Sequence, residues 1–405
     1  MAESKTILIL GASYAGLSSA HYILKHVLPS LPLDHKIALV APSNEVFCRP
    51  ACPRALVSDS LLPQEKLFAD IPSLLAGKER IVFEQGLAIS LNHRERKVRV
   101  QAGTVEKDIC YHALIIATGA STESPLLGLN EGTSERLRTS WGSFREALPT
   151  AKRIVIGGGG PAGIEVAGEL GEYLNGYLGW KGGKLKDPRV SITVVTAGTQ
   201  ILPALRESIA RKAEGYLARL GISILKGVRI EAVDPVNSGN EGKLLTGKTC
   251  VRFSNGESIE ADIYIPAMGT KPNTRFVDDE LLLDGLVETD QHLRVEKAGP
   301  RVYAIGDASS YARPAVHAIL SAVPVLCANI KRDLLLEAGQ NAGEDRVFRE
   351  DLRETQLVPI GRNKGVGAAM GWQLPSFLVW LIKGRDYWLW TTGKLWSGKQ
   401  WAKGA

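Results

Sequence analysis

The stretch that decides the fold reads Lys-Thr-Ile-Leu-Ile-Leu-Gly-Ala-Ser-Tyr-Ala-Gly and spans residues 5–16. Its apolar first half predicts a short buried strand, and residues 17–26 are typical of a helix. A strand, a glycine turn and a helix in this order make up the dinucleotide-binding fingerprint. In that motif Gly11 permits the tight turn and Gly16 lets the helix pack closely on the strand. The start of the helix then offers its N–H groups to a pyrophosphate.

Two positions of this first turn depart from the fingerprint. Ser13 replaces the middle glycine, although it is small enough to permit close approach of a ligand. The second strand of the unit is followed by Ala41, where an acidic residue usually binds the ribose hydroxyls. Ser43, Asn44 or Glu45 could take that role. Taken alone, the turn therefore leaves an ordinary strand-to-helix turn open as the alternative.

A second and complete fingerprint occupies residues 153–174. Residues 153–156 predict a strand and residues 164–174 a helix, and all three fingerprint glycines lie between them. These glycines are Gly158, Gly160 and Gly163. The next strand is followed by Thr196-Ala197-Gly198, which offers neither an acid for NADH nor an arginine for NADPH. The missing arginine favours NADH, and the choice between the two stays open.

Two further strand ends fit a flavin domain that is interrupted by an inserted nicotinamide domain. Thr118-Gly119 follows one apolar strand, Gly306-Asp307 follows another, and a helix is predicted over residues 317–335. A carboxylate at Asp307 suits a ribityl or ribose hydroxyl. The start of the helix behind it would stabilise the negative charge of a reduced flavin. Together the two fingerprints predict FAD at the first turn and NAD(P)H at the second.

The order of these motifs resembles the two-dinucleotide disulfide-reductase superfamily of flavoproteins. Within it, the chain is most similar to the apoptosis-inducing-factor-like branch, and there to the ferroptosis suppressor group. The most specific part of the match lies at residues 361–367 and 381–386. The resemblance implies a protein that binds FAD, oxidises NAD(P)H and passes the electrons to a quinone-type acceptor.

The resemblance also implies roles for single residues. Arg54 is expected to contact the flavin, and Asp307 matches the family's aspartate. Glu165 is tied to nicotinamide binding and Lys383 lies near the flavin and quinone site, so both are expected to be catalytic. The residues expected to bind the cofactors are Gly11, Ala12, Ser13, Tyr14, Ala15, Gly16, Arg54, Thr118, Gly119, Gly158, Gly160, Gly163, Glu165 and Asp307. No metal site is expected.

The resulting fold prediction is an α/β protein of three parts. Two are Rossmann-like dinucleotide-binding domains in the manner of the glutathione-reductase-like FAD/NAD(P) fold, and the third is a small C-terminal α+β subdomain. The FAD domain is predicted at residues 1–120 and 270–330, and the NAD(P)H domain at residues 121–269. Residues 331–405 are predicted to form the C-terminal subdomain, with the acceptor site and a membrane contact.

The cysteines leave a redox role open. Cys48 and Cys52 follow the second predicted strand, as redox cysteines do in disulfide reductases, but three residues separate them instead of four. A thiolate or sulfenate role for Cys52, or for Cys48, stands against simple burial as small apolar residues. The C-terminal dimerisation domain of the disulfide reductases is expected to be absent.

The composition excludes several classes of protein. With 405 residues, five cysteines and no apolar run near the ~18 residues of a membrane span, the chain is neither a disulfide scaffold nor a spanning protein. A net charge of +6 without a nucleic-acid-reading motif gives no reason to expect nucleic acid. No signal peptide is expected, and the protein is expected to be intracellular and cytoplasmic; the oligomeric state is left open.

Six of the eight tryptophans lie in the last 34 residues and alternate there with lysine and arginine. This pattern has three interpretations. The rings can pack a subdomain that lines an acceptor pocket, contact a mitochondrial or lipid-droplet membrane surface from one side, or bind another partner.

Three functions follow from these observations. The first is an FAD-dependent NAD(P)H:quinone oxidoreductase. The second is a flavin-dependent oxidoreductase that acts on a dedicated small aromatic metabolite in a biosynthetic pathway. The third is a non-enzymatic redox-sensing or cell-death flavoprotein.

Overall fold

The computed structural model describes residues 4–176, 185, 187–240 and 244–404. Its first sheet has five parallel strands with the strand of the first glycine turn in the middle. In spatial order the strands are Val302–Ala304, Ala113–Ile116, Lys5–Leu10, His35–Ala41 and Ile81–Gln85. The central strand is buried on both faces, which explains why its sequence is an unbroken apolar run.

The two faces of this sheet have different covers. Helices Tyr14–His26 and Val316–Glu337 pack together against one face. A three-stranded antiparallel sheet packs against the other face. Its strands are Leu87–Asn92, Lys97–Ala102 and Val105–Cys110. The first helix begins three residues before the predicted range 17–26 and ends at the same residue, and the second extends the predicted range 317–335 by one residue at its start and two at its end.

The second sheet repeats this design with four parallel strands. They are Ile222–Lys226, Ser191–Thr196, Arg153–Gly157 and Ile263–Pro266. Helices Pro161–Asn175 and Glu207–Arg219 pack on one of its faces, and the helix Ser134–Ala147 belongs to the same hydrophobic core. Three antiparallel strands, Ile230–Asp234, Thr249–Phe253 and Ser258–Ala261, cover the other face. Two Rossmann-like sheets on one chain confirm the predicted fold class.

A short ribbon connects the two units. Strands Ala120–Ser121 and Lys271–Pro272 pair antiparallel, and the Thr118 hydroxyl donates to the Asn273 carbonyl at 2.8 Å. The chain passes through this ribbon once on its way into the second unit and once on its way back. Of the proposed limits of the inserted domain, residue 121 lies in the first strand of the ribbon and residue 269 lies two residues before the second.

The C-terminal part contains an antiparallel sheet and a series of short helices. The strands are Gln356–Ile360, Lys364–Ala369 and Trp372–Gln373. The helices are Ser376–Val379, the π-helix Trp380–Gly384, Leu389–Trp396 and the 3-10 helix Lys399–Trp401. The predicted start of this part, at residue 331, falls inside the helix Val316–Glu337 of the first unit. We therefore place its start after Glu337.

Short elements complete the described chain. The helices are Cys52–Ala55 and Ile71–Leu75, with 3-10 turns at Leu28–Ser30, Arg49–Ala51, Gln64–Lys66, Asp279–Leu281 and Glu296–Ala298. The strand pairs are Glu45–Phe47 with Phe68–Asp70, and Leu282–Leu283 with Leu286–Val287. Within the described ranges, every helix is too short or too polar to cross a bilayer.

Candidate active site

The first glycine turn has no room for larger residues at two of its positions. Gly11 adopts φ +102°, and a Cβ there would lie 2.2 Å from the carbonyl oxygen of Ala117. A Cβ on Gly16 would lie 1.7 Å from the carbonyl oxygen of Gly11. Both obstacles are backbone atoms, so the turn keeps its shape only with glycine.

The second glycine turn is built in the same way. Gly158 adopts φ +126°, and its Cβ would lie 2.2 Å from the carbonyl oxygen of Ala267. A Cβ on Gly163 would lie 2.1 Å from the carbonyl oxygen of Gly158. The middle residue differs, because a Cβ on Gly160 would meet no heavy atom of the described chain within 4 Å.

A cavity of about 570 Å³ joins the two turns. This volume lies in the range of small-molecule and cofactor sites. It is lined by eleven of the residues predicted for the site, namely Gly11, Ala12, Ser13, Tyr14, Ala15, Thr118, Gly119, Gly160, Glu165, Asp307 and Lys383. The cavity thus runs from the start of the first helix to the start of the second. A continuous cleft between two nucleotide-binding turns fits an extended flavin dinucleotide next to a nicotinamide.

Three of the other predicted residues, Gly16, Gly158 and Gly163, act through the shape of the turns. Their space is taken by backbone, as described above, and they do not line the cavity.

Arg54, expected at the flavin, does not line the cavity. Its buried guanidinium forms a two-armed contact with the carboxylate of Glu169, at 2.8 to 3.1 Å. Arg49 lines the cavity instead, in the 3-10 turn before the helix Cys52–Ala55, and donates to the Ala120 carbonyl at 2.8 Å. Burial raises the pKa of the Asp307 carboxyl, and the charge of Arg49 opposes this rise. The resemblance implied Arg54 for this position, whereas in the structure Arg49 is the arginine on the cavity wall.

Of the three residues that could bind the ribose hydroxyls, Ser43 and Glu45 line the cavity. Arg138 donates to both oxygens of the Glu45 carboxylate, at 2.7 and 3.1 Å, and Ser134 also donates to it. The hydrogen bond from Arg138 lowers the pKa of Glu45, so this carboxylate stays charged. Asn44, the third candidate from the sequence, does not line the cavity.

Glu165 and Lys383 form a buried pair on the wall of the cavity. The Lys383 Nζ lies 2.5 Å from Glu165 Oε1 and 3.1 Å from the carbonyl oxygen of Leu357. It also lies 5.0 Å from the centre of the Trp388 ring, which lines the cavity beside it. Burial raises the pKa of Glu165 to about 7, although Lys383 lowers it. Glu165 can therefore hold or release a proton near neutral pH.

Glu165 is the first of three glutamates on one face of the helix Pro161–Asn175. Positions 165, 169 and 172 share a face because the helix repeats every 3.6 residues. Each of these glutamates contacts a different residue of the C-terminal part. Glu165 binds Lys383, Glu169 accepts from the Tyr387 hydroxyl at 2.9 Å, and Glu172 accepts from the Arg362 side chain at 2.7 Å. Charged contacts therefore attach the C-terminal part to the second turn's helix.

The last residues of the chain pack instead on the helix of the first turn. The Trp396 ring meets Tyr14 at 4.8 Å between ring centres, and Trp401 meets Tyr22 at 5.7 Å. His21 Nε2 donates to the Trp396 carbonyl at 2.7 Å. We call residues 370–404 the tail, and this end of it is therefore part of the core.

The six tail tryptophans divide into three groups. Trp396 and Trp401 are buried, and Trp380 and Trp388 are half-buried, with Trp388 in the wall of the cavity. Trp372 and Trp390 are 78% and 59% exposed. Packing and cavity lining thus account for part of the pattern, and the exposed rings remain for a surface role.

Cys48 and Cys52 are both free and buried. Burial raises the pKa of Cys48 to about 11 and raises the pKa of Cys52 further. Tyr14 donates to the Cys48 sulfur at 3.5 Å, whereas Cys52 lines the cavity. The surroundings therefore favour the neutral thiol at both positions, which argues against a thiolate.

The two turns and their shared cavity define a two-dinucleotide oxidoreductase. The chain belongs to the pyridine nucleotide-disulphide oxidoreductase family, whose sequence model matches residues 5–322. FAD and NAD(P)H are the cofactors of this family, which confirms the predicted pair. Membership in a family of oxidoreductases supports an enzyme.

The chain resembles several known proteins over most of its length. Oxidoreductase phnG of Penicillium herquei is 56% identical over 413 residues, which cover 100% of this chain and 98% of the relative. Ferroptosis suppressor protein 1 of Homo sapiens is 23% identical over 96% of this chain and 95% of its own. Apoptosis-inducing factor 1 of Saccharomyces cerevisiae is 24% identical, with coverages of 95% and 96%. These two confirm the distant kinship predicted from the motifs.

Among solved structures, the sulfide:quinone oxidoreductase from Aquifex aeolicus is similar with a TM-score of 0.72 at 17% identity. The match covers 98% of this chain and 92% of that one. At this level of identity the likeness establishes the shared fold.

Proposed function

We propose that this protein is an FAD-dependent NAD(P)H oxidoreductase that passes electrons to a quinone-type acceptor. The observation that carries the proposal is the cavity that leads from both dinucleotide turns to the buried pair of Glu165 and Lys383 beside Trp388. When bound, FAD supplies a two-electron relay between the nicotinamide and the acceptor.

The residues on the cavity wall suit an acceptor that gains both electrons and protons. A quinone that takes up two electrons develops negative charge on its oxygens, which the Lys383 ammonium can stabilise. Glu165 has a pKa of about 7 and can hold the proton that such an oxygen needs. The Trp388 ring offers a flat apolar surface to an aromatic compound.

A dedicated small aromatic metabolite is the second candidate acceptor. The relative that is 56% identical is named only as an oxidoreductase, whereas the structure whose name includes a quinone is 17% identical. The same cation, acid and ring would serve an aromatic ketone as well as a quinone.

For the electron donor we propose NADH. No arginine follows the strand Ser191–Thr196 at the position that binds the extra phosphate of NADPH.

We also propose that the tail contacts a membrane surface from one side. Its exposed apolar side chains include Met370, Trp372, Phe377, Leu381 and Trp390, and Lys394 is exposed beyond them. Aromatic rings combined with cations suit a layer of anionic headgroups. Trp372→Ser together with Trp390→Ser should weaken sedimentation with phosphatidylserine vesicles at least several-fold. Equal sedimentation of wild type and variant would contradict this contact.

Rapid-mixing spectroscopy tests the main proposal. We expect NADH to bleach the flavin of the purified protein faster than NADPH, and menadione to restore the colour. The second candidate is favoured if menadione reacts slowly and one aromatic metabolite reacts fast. A colourless protein from flavin-rich expression would contradict flavin binding altogether.

Lys383→Ala should lower quinone turnover at least 10-fold while FAD content stays unchanged, because only the acceptor side loses its cation. Lys399→Ala, at an exposed lysine outside the cavity in the same tail, is the matched control and should turn over like wild type. Unchanged turnover in Lys383→Ala would remove Lys383 from the site.

A further inference from the structure

A neutral buried network lies directly behind the pair of Glu165 and Lys383. Glu169, one helical turn after Glu165, receives the two-armed contact from Arg54 and the hydroxyl bond from Tyr387. All three of these side chains are buried, and the Arg54 guanidinium lies 4.8 Å from the centre of the Tyr387 ring. None of the three lines the cavity, so none is placed to touch a cofactor or an acceptor.

This network also fixes the turn that presents Lys383. The second arm of Arg54 donates to the carbonyls of Gly384 and Arg385 at 2.8 and 3.1 Å. These residues immediately follow Lys383 at the end of the π-helix Trp380–Gly384. Arg54 therefore ties three parts of the chain together: its own helix, the helix of the second turn and the tail.

The backbone after the π-helix needs such support. Tyr387 and Trp388 adopt φ of +53° and +68°, a region that residues with side chains seldom occupy. The Tyr387 N–H donates to the Lys383 carbonyl at 2.6 Å. Because the Tyr387 hydroxyl is anchored on Glu169, the backbone can hold this conformation and place Trp388 in the cavity wall.

We propose that Arg54, Glu169 and Tyr387 form a positioning network that sets both the place and the charge of the Glu165–Lys383 pair. This inference rests on the proposed function, in which that pair supplies the proton and the cation. Four charged or titratable side chains face Glu165. They are Lys383 and Tyr387 from the tail, Arg54 from the helix Cys52–Ala55, and Glu169 on its own helix.

Two substitutions should shift the ionisation of Glu165 in opposite directions. Glu169→Gln removes a negative charge and leaves Arg54 uncompensated, so the pKa of Glu165 should fall by on the order of one unit. Tyr387→Phe keeps the ring over Arg54 but removes a hydrogen bond to Glu169. The less compensated carboxylate should then raise the pKa of Glu165 by a smaller amount, roughly half a unit.

A second network of the same chemistry provides the control. Arg294 contacts both oxygens of Asp333 at 2.8 Å, and the Tyr303 hydroxyl donates to the same carboxylate at 2.5 Å. None of these residues lines the cavity. Tyr303→Phe should therefore lower the melting temperature without moving the ionisation of Glu165.

Two measurements distinguish a positioning role of the network from a purely structural one. The first is the melting temperature between pH 4 and 9, followed by flavin fluorescence, with Glu165→Gln as the reference that removes its titration. The second is the pH profile of reoxidation of the reduced flavin by menadione. We expect the transition in both profiles to move to lower pH in Glu169→Gln and to higher pH in Tyr387→Phe.

The result that would overturn the proposal is a loss of stability and of reoxidation rate in both Glu169→Gln and Tyr387→Phe without a displacement of either pH profile. Both variants would then resemble Tyr303→Phe, whose pH profiles should not move. If Glu169→Gln does not fold, the displacement in Tyr387→Phe alone decides. A wild-type protein that menadione does not reoxidise would contradict the proposed acceptor instead. The melting curves would still decide for or against the network in that case, because they need no acceptor.

Discussion

The two glycine turns share one backbone design, yet the helices behind them have different neighbours. In both turns a larger residue in place of the first glycine would clash with the carbonyl oxygen just after a neighbouring strand. A larger residue in place of the last glycine would clash with the carbonyl oxygen of the first glycine. The first helix meets the tail through rings and imidazoles, whereas the second meets it through glutamates. The side chains on the first helix are Tyr14, His21, Tyr22 and His26, and those on the second are Glu165, Glu169 and Glu172. Backbone sterics thus determine where a dinucleotide binds. The helix face that contacts the tail determines which side chains lie beside that dinucleotide.

The largest effects should come from the last glycine of each turn. Gly16→Ala forces a Cβ onto the Gly11 carbonyl, so we expect the protein to lose at least 90% of its flavin. Gly163→Ala creates the same conflict in the second turn, and there the flavin should stay while its reduction by NADH slows at least 100-fold. Flavin content by absorbance and rapid-mixing kinetics measure the two effects.

Gly142→Ala controls for the addition of a methyl group. This glycine lies within the helix Ser134–Ala147, and a Cβ there would meet nothing within 4 Å of the described chain. Its flavin content and kinetics should match wild type. Equal loss of flavin in Gly16→Ala and Gly163→Ala would show that the two turns do not serve separate ligands.

The next effect concerns the tail on the first helix. Trp396 is 4% exposed and packs on Tyr14, so Trp396→Ala should lower the free energy of unfolding by about 3–5 kcal/mol. Trp390, which is 59% exposed on the same helix, should cost under about 1 kcal/mol when changed to alanine. Urea unfolding compares them. Similar losses for both variants would mean that the tail does not dock on the first helix as described.

The sequence predicts the features that depend on local backbone rules, but it does not predict the side-chain contacts between distant parts of the chain. The strands, the glycine turns and the helices behind them follow from local rules, since each constraint acts within a few residues. The partner of Arg54 lies 115 positions away on the other domain, and no local pattern points to it. The spacing of Glu165, Glu169 and Glu172 was a usable signal for a shared helix face, but their cationic and hydroxyl partners depend on how the tail folds back.

The pH dependence of stability should have opposite signs on the two helices. His21, on the first, is buried with Nδ1 unpaired in the described structure, and burial lowers its pKa from 6.5 to about 4. The unfolded chain therefore binds more protons between these values, and stability is lost as pH falls through them. Glu165, on the second, has its pKa raised from 4.5 to about 7, so stability is lost as pH rises through that window.

Melting curves of His21→Gln and Glu165→Gln between pH 4 and 8 check these signs. Each group changes the free energy of unfolding by at most about 1.4 kcal/mol per pH unit. Removing His21 should flatten the acid side of the curve, and removing Glu165 should flatten the side that falls toward neutral pH. An unchanged acid side in His21→Gln would show that the protonation of His21 does not destabilise the fold.

The smallest effect should come from the middle position, where the first turn departs from the fingerprint. Ser13 has φ −110° and Gly160 has φ −76°, and neither lies in the left-handed region that requires glycine. Ser13→Gly should leave flavin content unchanged and lower the free energy of unfolding by only a few tenths of a kcal/mol. In the second turn, Gly160→Ser should change the Michaelis constant for NADH by less than about three-fold, because the new Cβ would meet no protein atom within 4 Å and a serine already occupies the matching position of the first turn.

Steady-state kinetics and flavin titration measure this pair of exchanges. If Gly160→Ser abolishes reduction by NADH while Ser13→Gly tightens FAD binding, then the middle glycine governs how closely a pyrophosphate approaches. In that case Ser13 lowers the affinity of the first turn for its ligand. If both variants behave like wild type, the first and last glycines carry the steric requirement, and Ser13 departs from the pattern at the one position where departure costs little.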